Sequence, residues 1–146
     1  MQFLDLWFSK MNRSIACVAI KNDKILIAHR NSSGQMCNRW EFPGGKVEEG
    51  ETDSQAIIRE MNEEFGIIVE VLQKITTGTF FHNGKERQLD VYLIKVPHDG
   101  IEKKYVLTEH TEYEWVGINE IPKDNFVDSD LAVYPQIRKF LLDNFK

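Results

Sequence analysis

From Trp40 to Ile67 the chain reads Trp-Glu-Phe-Pro-Gly-Gly-Lys-Val-Glu-Glu-Gly-Glu-Thr-Asp-Ser-Gln-Ala-Ile-Ile-Arg-Glu-Met-Asn-Glu-Glu-Phe-Gly-Ile, and no other stretch restricts the fold as tightly. Proline fixes φ, and paired glycines admit backbone conformations closed to other residues, so Pro43-Gly44-Gly45-Lys46 is expected to be a tight loop rather than regular structure. Thr52 and Gln55 have the spacing of a capping box, good helix formers run from Gln55 to Phe65, and Gly66 stands where a C-terminal cap belongs. The stretch is therefore a loop feeding a helix of about three turns. At about 100° per residue, Ile57, Ile58, Met61 and Phe65 are expected on one side of it, with Glu60, Glu63 and Glu64 on a neighbouring side. Carboxylates three and four apart repel by a few tenths of a kcal/mol per pair, which calls for a compensating cation unless the acids form a plain solvated face. Hard oxygen donors of this kind suit Mg²⁺ or Mn²⁺.

Composition narrows the setting of that helix. A chain of 146 residues with 42% hydrophobic content fills one core and is too short for two ordinary domains. Its formal charge of −5 argues against stable nucleic-acid binding and against an anionic membrane surface, while leaving room for a small phosphorylated substrate met by metal and a few local cations. Cys17 and Cys37 have neither metal-site spacing nor a disulfide framework, which points to reduced thiols in the cytoplasm. No apolar run has membrane-spanning length, and the opening residues, with Asp5 among Phe3, Leu4, Leu6, Trp7 and Phe8, make a poor signal peptide. Residues 1–12 are read as an extension, either docking on the domain or a partner or ordered only locally, and residues 13–146 as the domain, monomeric or homodimeric.

Taken in order, Ser14 to Ile20 and Ile25 to Arg30 are expected to form a β-hairpin about the Lys21-Asn22-Asp23-Lys24 turn. Residues 31–39 form a loop delivering Trp40-Glu41-Phe42. After the helix, Ile67 to Ile75, Thr76 to Phe81 and Gln88 to Val96 read as strands, with His82-Asn83-Gly84-Lys85 as a turn. A loop from Pro97 to Lys104 leads to a short strand over Tyr113 to Val116. Ile137, Phe140, Leu141 and Phe145 mark an amphipathic helix after Pro135. These elements give an α+β sandwich.

The residues Gly45-x5-Glu51-x7-Arg59-Glu60-Met61-x-Glu63-Glu64-x-Gly66-Ile67 match, position by position, the signature of the Nudix hydrolase family, a coincidence with chance probability on the order of 10⁻⁸ in a chain this size. With the box at 45–67, the chain resembles that family over residues 13–143, and Trp40 to Lys46 is similar to its MutT-type branch. The resemblance implies a Nudix-like α/β/α sandwich with a mixed β-sheet between two helices. It also implies hydrolysis of a nucleoside triphosphate, of an oxidised-purine or cytidine type, to monophosphate and pyrophosphate. Hydrolysis of nucleotide sugars or dinucleotides is the alternative within the family, and a non-catalytic Nudix-fold nucleotide-binding regulator is the alternative outside catalysis.

Carried over residue by residue, the resemblance makes Glu60, Glu63 and Glu64, the Gly44 carbonyl and Glu109 the metal ligands. Glu63, Glu64 and Glu109 are its catalytic carboxylates, with Glu109, in a loop six residues before Trp115, as candidate general base. Arg59 is grouped with them and more directly paired with Glu51, the two bracing the helix alongside Gly45 and Gly66. Arg30 and Lys46 are placed on phosphate, Glu41, Phe42 and Arg87 on the nucleotide. The segment Phe126-Val127-Asp128-Ser129-Asp130 stands where MutT-like proteins carry a base-reading group, although Val127 and Asp128 replace the family's paired prolines. Asp130 is there either an acceptor for an exocyclic amine of the base or the N-cap of the last helix.

Overall fold

The structure, a computed structural model, describes residues 12–31, 36–97 and 110–145. The proposed extension therefore lies, except for Asn12, outside the described residues, as does most of the Pro97 to Lys104 loop. In chain order the elements are β1 (Arg13–Lys21), β2 (Lys24–Arg30), β3 (Trp40–Glu41), β4 (Gly44–Lys46), α1 (Asp53–Phe65), β5 (Glu70–His82), β6 (Lys85–Lys95), β7 (His110–Gly117), a 3₁₀ turn (Lys123–Asn125) and α2 (Asp128–Asn144).

β1 lies at the centre because its run from Ile15 to Ala19 is apolar on both faces, as a strand covered on both sides must be. The sheet runs β3-β2-β1-β6-β5, with β4 also on β1 and β7 also on β2. Among the described strand ladders only β1–β6 is parallel, from Arg13 opposite Gln88 to Ala19 opposite Ile94, and a single parallel bridge joins Trp40 to Phe126. One face of the sheet buries Ile15, Cys17 and Leu26 against Ile57, Met61 and Phe65 of α1. The other buries Ala16, Val18 and Ile27 against Val133, Ile137 and Leu141 of α2. Each such large side chain contributes roughly 1.5–3 kcal/mol relative to its exposed state. A mixed sheet between two helices is thus present, as expected.

Local signals set several boundaries. Asn22 and Asp23 take φ of 52° and 64° in the β1–β2 turn, and Asn83 and Gly84 take 53° and 74° between β5 and β6, the left-handed pair that two-residue hairpins need. α1 has the full capping box, Thr52 accepting from the Gln55 N–H and the Gln55 side chain from the Thr52 N–H, and it ends on Gly66 at φ 65°.

Other expectations are corrected. Gly44 and Gly45 belong to a strand and not to a tight loop: β4 pairs with β1, Ile15 opposite Gly45 and Ala16 opposite Gly44. Ile58 is 41% exposed and leaves the packed side of α1, where Ala56 and Glu64 take the place beside Ile57, Met61 and Phe65. The two strands expected from Ile67 to Phe81 are one strand, β5, bent by register shifts at Val71/Gln73 and Lys74/Thr76. α2 begins at Asp128 rather than after Pro135, since the Leu131 N–H already bonds the Val127 carbonyl at 2.9 Å. Pro135 sits inside the helix, and the burial of Val133, Tyr134, Ile137 and Leu141 around it offsets the backbone bond it cannot make.

Candidate active site

Arg59 organises the acidic side of α1. Its Nε and Nη2 form a two-pronged pair with Glu51 at 2.7 and 2.9 Å, Nη1 lies 2.9 Å from Glu60 and 3.3 Å from Glu63, and Nη2 also donates to the Lys46 carbonyl at 3.1 Å. One guanidinium thereby ties the helix to the box loop and to β4. The hydrogen bond from Arg59 holds the Glu51 carboxyl below the usual carboxylate range, and the same acids push the Arg59 pKa up. Glu51 also accepts the Glu48 N–H at 2.8 Å, bracing the turn before the helix.

The glycines of β4 are there for space. A side chain on Gly44 would run into the Ile15 carbonyl, and one on Gly45 into the Glu60 carboxylate. Neither glycine has a positive φ, so what counts is close approach rather than backbone freedom. Gly45 lets Glu60 lie directly against the β4 backbone. Glu63 is exposed and Glu64 is only 6% exposed, at the edge of the α1 core. Among the described residues no three acidic, histidine or cysteine side chains converge at metal-binding distances. Glu60 and Glu63 are turned toward Arg59. The donor set itself is all oxygen, carboxylates beside a backbone carbonyl, and suits a hard divalent cation. Glu109 lies outside the described residues.

A cavity of about 780 Å³ opens from this point onto the α2 side of the sheet, lined by Glu60, Gly44, Gly45 and Lys46 and also by Arg30, Glu41, Phe42, Arg87 and Asp130. The size is that of a small-ligand site. The structure thus brings the expected phosphate-side and base-side residues into one space, while Glu63 and Glu64 are not among its lining. Arg30 pairs with Glu41 at 3.1 Å, across the β2–β3 ladder where Ala28 faces Glu41. Phe42 is 2% exposed, its ring packed edge-to-face on Phe126 at 5.2 Å, so it meets the cavity chiefly through its surroundings and gives its N–H to Asp130 Oδ2 at 2.9 Å.

Asp130 is the third residue of α2 and not its N-cap, a place taken by Val127 without a side-chain cap. It is buried, and burial together with the Glu41 charge pushes its pKa up to about 8 against the hydrogen bond from Phe42 and the Arg30 charge. Arg87 is buried as well; its Nη2 donates to the Arg13 carbonyl at 3.2 Å, its Nε–H finds no partner, and no carboxylate among the described residues pairs with it. Burial lowers its pKa. Arg87 lines the cavity although its Nε–H is buried, and a guanidinium in such a wall is a place for an acceptor on a ligand.

Residues missed in the sequence also line the space: Phe80, directly opposite Arg87 on β5, Leu89 on the Arg87 face of β6, Ser14, and Ser129 beside Asp130. The signal for Leu89 and Phe80 was present in strand alternation and hairpin register, but only after the Asn83-Gly84 turn is fixed.

The raised Asp130 pKa has a definite sign. The folded state holds a proton that the unfolded chain gives up near pH 4, so stability from this group is complete below that pH and is lost as pH rises toward 8. Asp130→Asn, which keeps the acceptor for Phe42, is expected to raise the melting temperature by a few degrees at pH 8 and to leave it unchanged at pH 4.5. Melts across pH 4.5–9 check this, and equal shifts at both ends would sink it.

Comparison with known proteins places this geometry in context. The family model described as NUDIX domain matches residues 10–137. The 8-oxo-dGTP diphosphatase of Escherichia coli K12 is 43% identical over 58 residues, covering 40% of this chain and 45% of that protein, so the chain spans less than half the length of this relative. The oxidized purine nucleoside triphosphate hydrolase of Danio rerio is 32% identical over 111 residues, covering 74% of this chain and 70% of the relative. The solution structure of the E. coli ORF135 protein superposes with a TM-score of 0.72 at 25% identity, covering 91% of this chain and 92% of that one.

Proposed function

The chain belongs to the NUDIX domain family, and on that premise we propose that it hydrolyses a nucleoside triphosphate of the oxidised-purine or cytidine type to the monophosphate and pyrophosphate. The observation that carries the reading is a single cavity lined at once by Glu60 with the Gly44–Lys46 backbone and by Arg30, Glu41, Arg87 and Asp130. Phosphate chemistry and base reading then fall within the reach of one ligand.

In this reading Glu60, Glu63, Glu64 and the Gly44 carbonyl hold Mg²⁺, with Mn²⁺ as a substitute, and Glu109 completes the set as candidate base. A cation held there neutralises phosphate oxygens and acidifies water. Lys46 and Arg30 face the phosphates. The Arg87 guanidinium donates to an acceptor on the nucleotide, and Asp130, carrying a proton near neutral pH, offers a donor beside the Glu41 acceptor. Two groups of opposite hydrogen-bonding sense discriminate bases by leaving a buried partner unsatisfied when the wrong base enters. On this reading the chain is cytoplasmic, monomer or homodimer; Cys17 and Cys37 are free thiols, and among the described residues no helix is long and apolar enough to cross a membrane.

The test is turnover with Mg²⁺ across ordinary and oxidised purine triphosphates and cytidine triphosphates, with products identified. Monophosphate and pyrophosphate in equal amounts are expected from at least one of them. Turnover confined to a nucleotide sugar or dinucleotide, or binding without turnover of anything, would reject the proposal.

A further inference from the structure

A second charged cluster lies at the start of α1, on the opposite face of the sheet from the cavity's base-side wall. Asp90 of β6 is 1% exposed and yet fully served: it accepts from Thr77 Oγ1 at 2.8 Å, from Gln88 Nε2 at 3.0 and 3.2 Å, and pairs with Lys74 Nζ at 3.1 Å. Asp53, the first residue of α1, accepts from Tyr92 Oη at 2.7 Å and lies 2.8 Å from Arg13 Nη2, an ion pair off the hydrogen-bond axis. Burial and the neighbouring Asp90 push Asp53 up, while the neighbouring Asp53 and the hydrogen bonds from Thr77, Gln88 and Lys74 hold Asp90 down against its burial. Two like-charged groups side by side inside a fold are held by four strands and helices here: β1, α1, β5 and β6. Nothing in the proposed reaction uses them.

Their placement gives them a use. The Arg13 backbone carbonyl accepts the Val47 N–H at 3.0 Å, beside the β1–β4 ladder where Ser14 faces Lys46. The Arg13 side chain meanwhile holds Asp53. The residue that registers β4 therefore also fixes the start of the helix whose Glu60 must lie against Gly45. Glu60 stands about 10 Å along the axis from Asp53 at 1.5 Å per residue. The Glu60 contact leaves no room even for a Cβ, so a small change in helix tilt drives the carboxylate into β4 or away from it. Arg59 fixes the middle of the helix; a rigid rod needs a second point.

We propose that the Asp53–Asp90 cluster, with Arg13, Lys74, Thr77, Gln88 and Tyr92, is that second point, a positioning device that sets the tilt of α1 and with it the divalent-cation affinity of the carboxylates it carries. The inference rests on the functional reading above for the identity of those carboxylates. Partners one step removed from a metal ligand commonly change affinity by about 10–100-fold when altered, and a cluster that acts through the helix axis is expected at or below the low end of that range.

The test measures Mn²⁺ binding directly, by calorimetry or from the free-ion resonance, on the full chain without substrate. Asp90→Asn is expected to raise the Mn²⁺ dissociation constant about tenfold, the low end of that range, and the milder Tyr92→Phe, which deletes one hydroxyl bond to Asp53, about threefold, below it. At saturating Mg²⁺ kcat returns toward the parent value. Ile137→Val, in the α2 core on the other face, lowers the melting temperature and leaves Mn²⁺ affinity alone. Parent-like affinity in both cluster variants, or an equal loss in Ile137→Val, overturns the proposal. If Asp90→Asn does not fold, Tyr92→Phe decides. A parent chain that binds no Mn²⁺ overturns both this inference and the functional reading. Normal Mn²⁺ binding with the expected variant pattern but no triphosphate turnover removes the functional reading alone.

Discussion

Glu63→Gln is expected to lower kcat by a factor of about 10²–10³ or more while leaving the melting temperature nearly unchanged in the absence of metal. The two halves of that result have separate origins. Glu63 lies three residues from Glu60 on α1, so its charge adds repulsion of a few tenths of a kcal/mol to that pair. It also makes an exposed pair with Arg59 at 3.3 Å, which is worth about as much in the other direction. The two nearly cancel. Activity has no such cancellation, because a neutral amide is a poor ligand for a hard divalent cation. The increase in melting temperature that Mg²⁺ gives the parent, which grows with ligand concentration over the dissociation constant, should shrink in the variant. Steady-state kinetics and melts with and without Mg²⁺ read both effects, and an unchanged kcat would remove Glu63 from the metal site.

The largest stability loss is expected at Arg59. Replacing it by alanine strands Glu51 and Glu60, whose side chains are each 16% exposed, and frees the Lys46 carbonyl. Removing one partner of a partly buried network costs more than the network contributes, because the remaining charges stay desolvated; about 2–4 kcal/mol follows. For a chain of this size that corresponds to a fall of roughly 6–12 °C in melting temperature. Arg59→Lys keeps the charge without the fork and should fall between. The pH dependence identifies the cause. The Glu51 pKa is lowered by its hydrogen bond from Arg59, so its contribution is present above the unfolded value and is lost as pH falls through the folded one. The parent should therefore lose stability in acid below about pH 4 more steeply than Arg59→Ala, whose Glu51 titrates normally. Parallel acid limbs would show that Glu51 is not the partner that matters.

How far the sequence reached depends on whether the deciding interaction is local. Thr52, Gln55 and Gly66 define α1 by contacts within one turn, and Asn22-Asp23 and Asn83-Gly84 define hairpins by their own dihedrals. All of these were legible. The Arg59–Glu51 pair was legible from the family pattern, and its reach to Glu60, Glu63 and the Lys46 carbonyl was not. Gly44 and Gly45 were misread because a glycine can be required either by φ or by a neighbour, and here the neighbours, Ile15 and Glu60, are distant in the chain. Pro135 misplaced the start of α2 because local propensity lost to packing on the sheet. Ile58 was misassigned since helical angle alone does not say where the buried sector is centred; Glu64 took its place. The cavity needed the β1–β6 register, which no local pattern contains; the resemblance implied a mixed sheet between two helices and no register.

That parallel pairing has a kinetic side. Ile15 meets Asp90 only after everything between them has been synthesised and the ends of a long loop have been brought together, a closure whose entropic cost grows with loop length. The β1–β2 hairpin and α1 close over short distances and need no such event. A chain ending before Lys85 would carry every glutamate of α1 and the Arg59 anchor, yet have no Arg87, no Asp90 and no β6 wall to the cavity. The glutamates of α1 are set locally, and the part of the cavity wall that Arg87 and Leu89 supply only by the distant β1–β6 pairing, so conditions that slow that closure would delay the cavity rather than the glutamate helix itself.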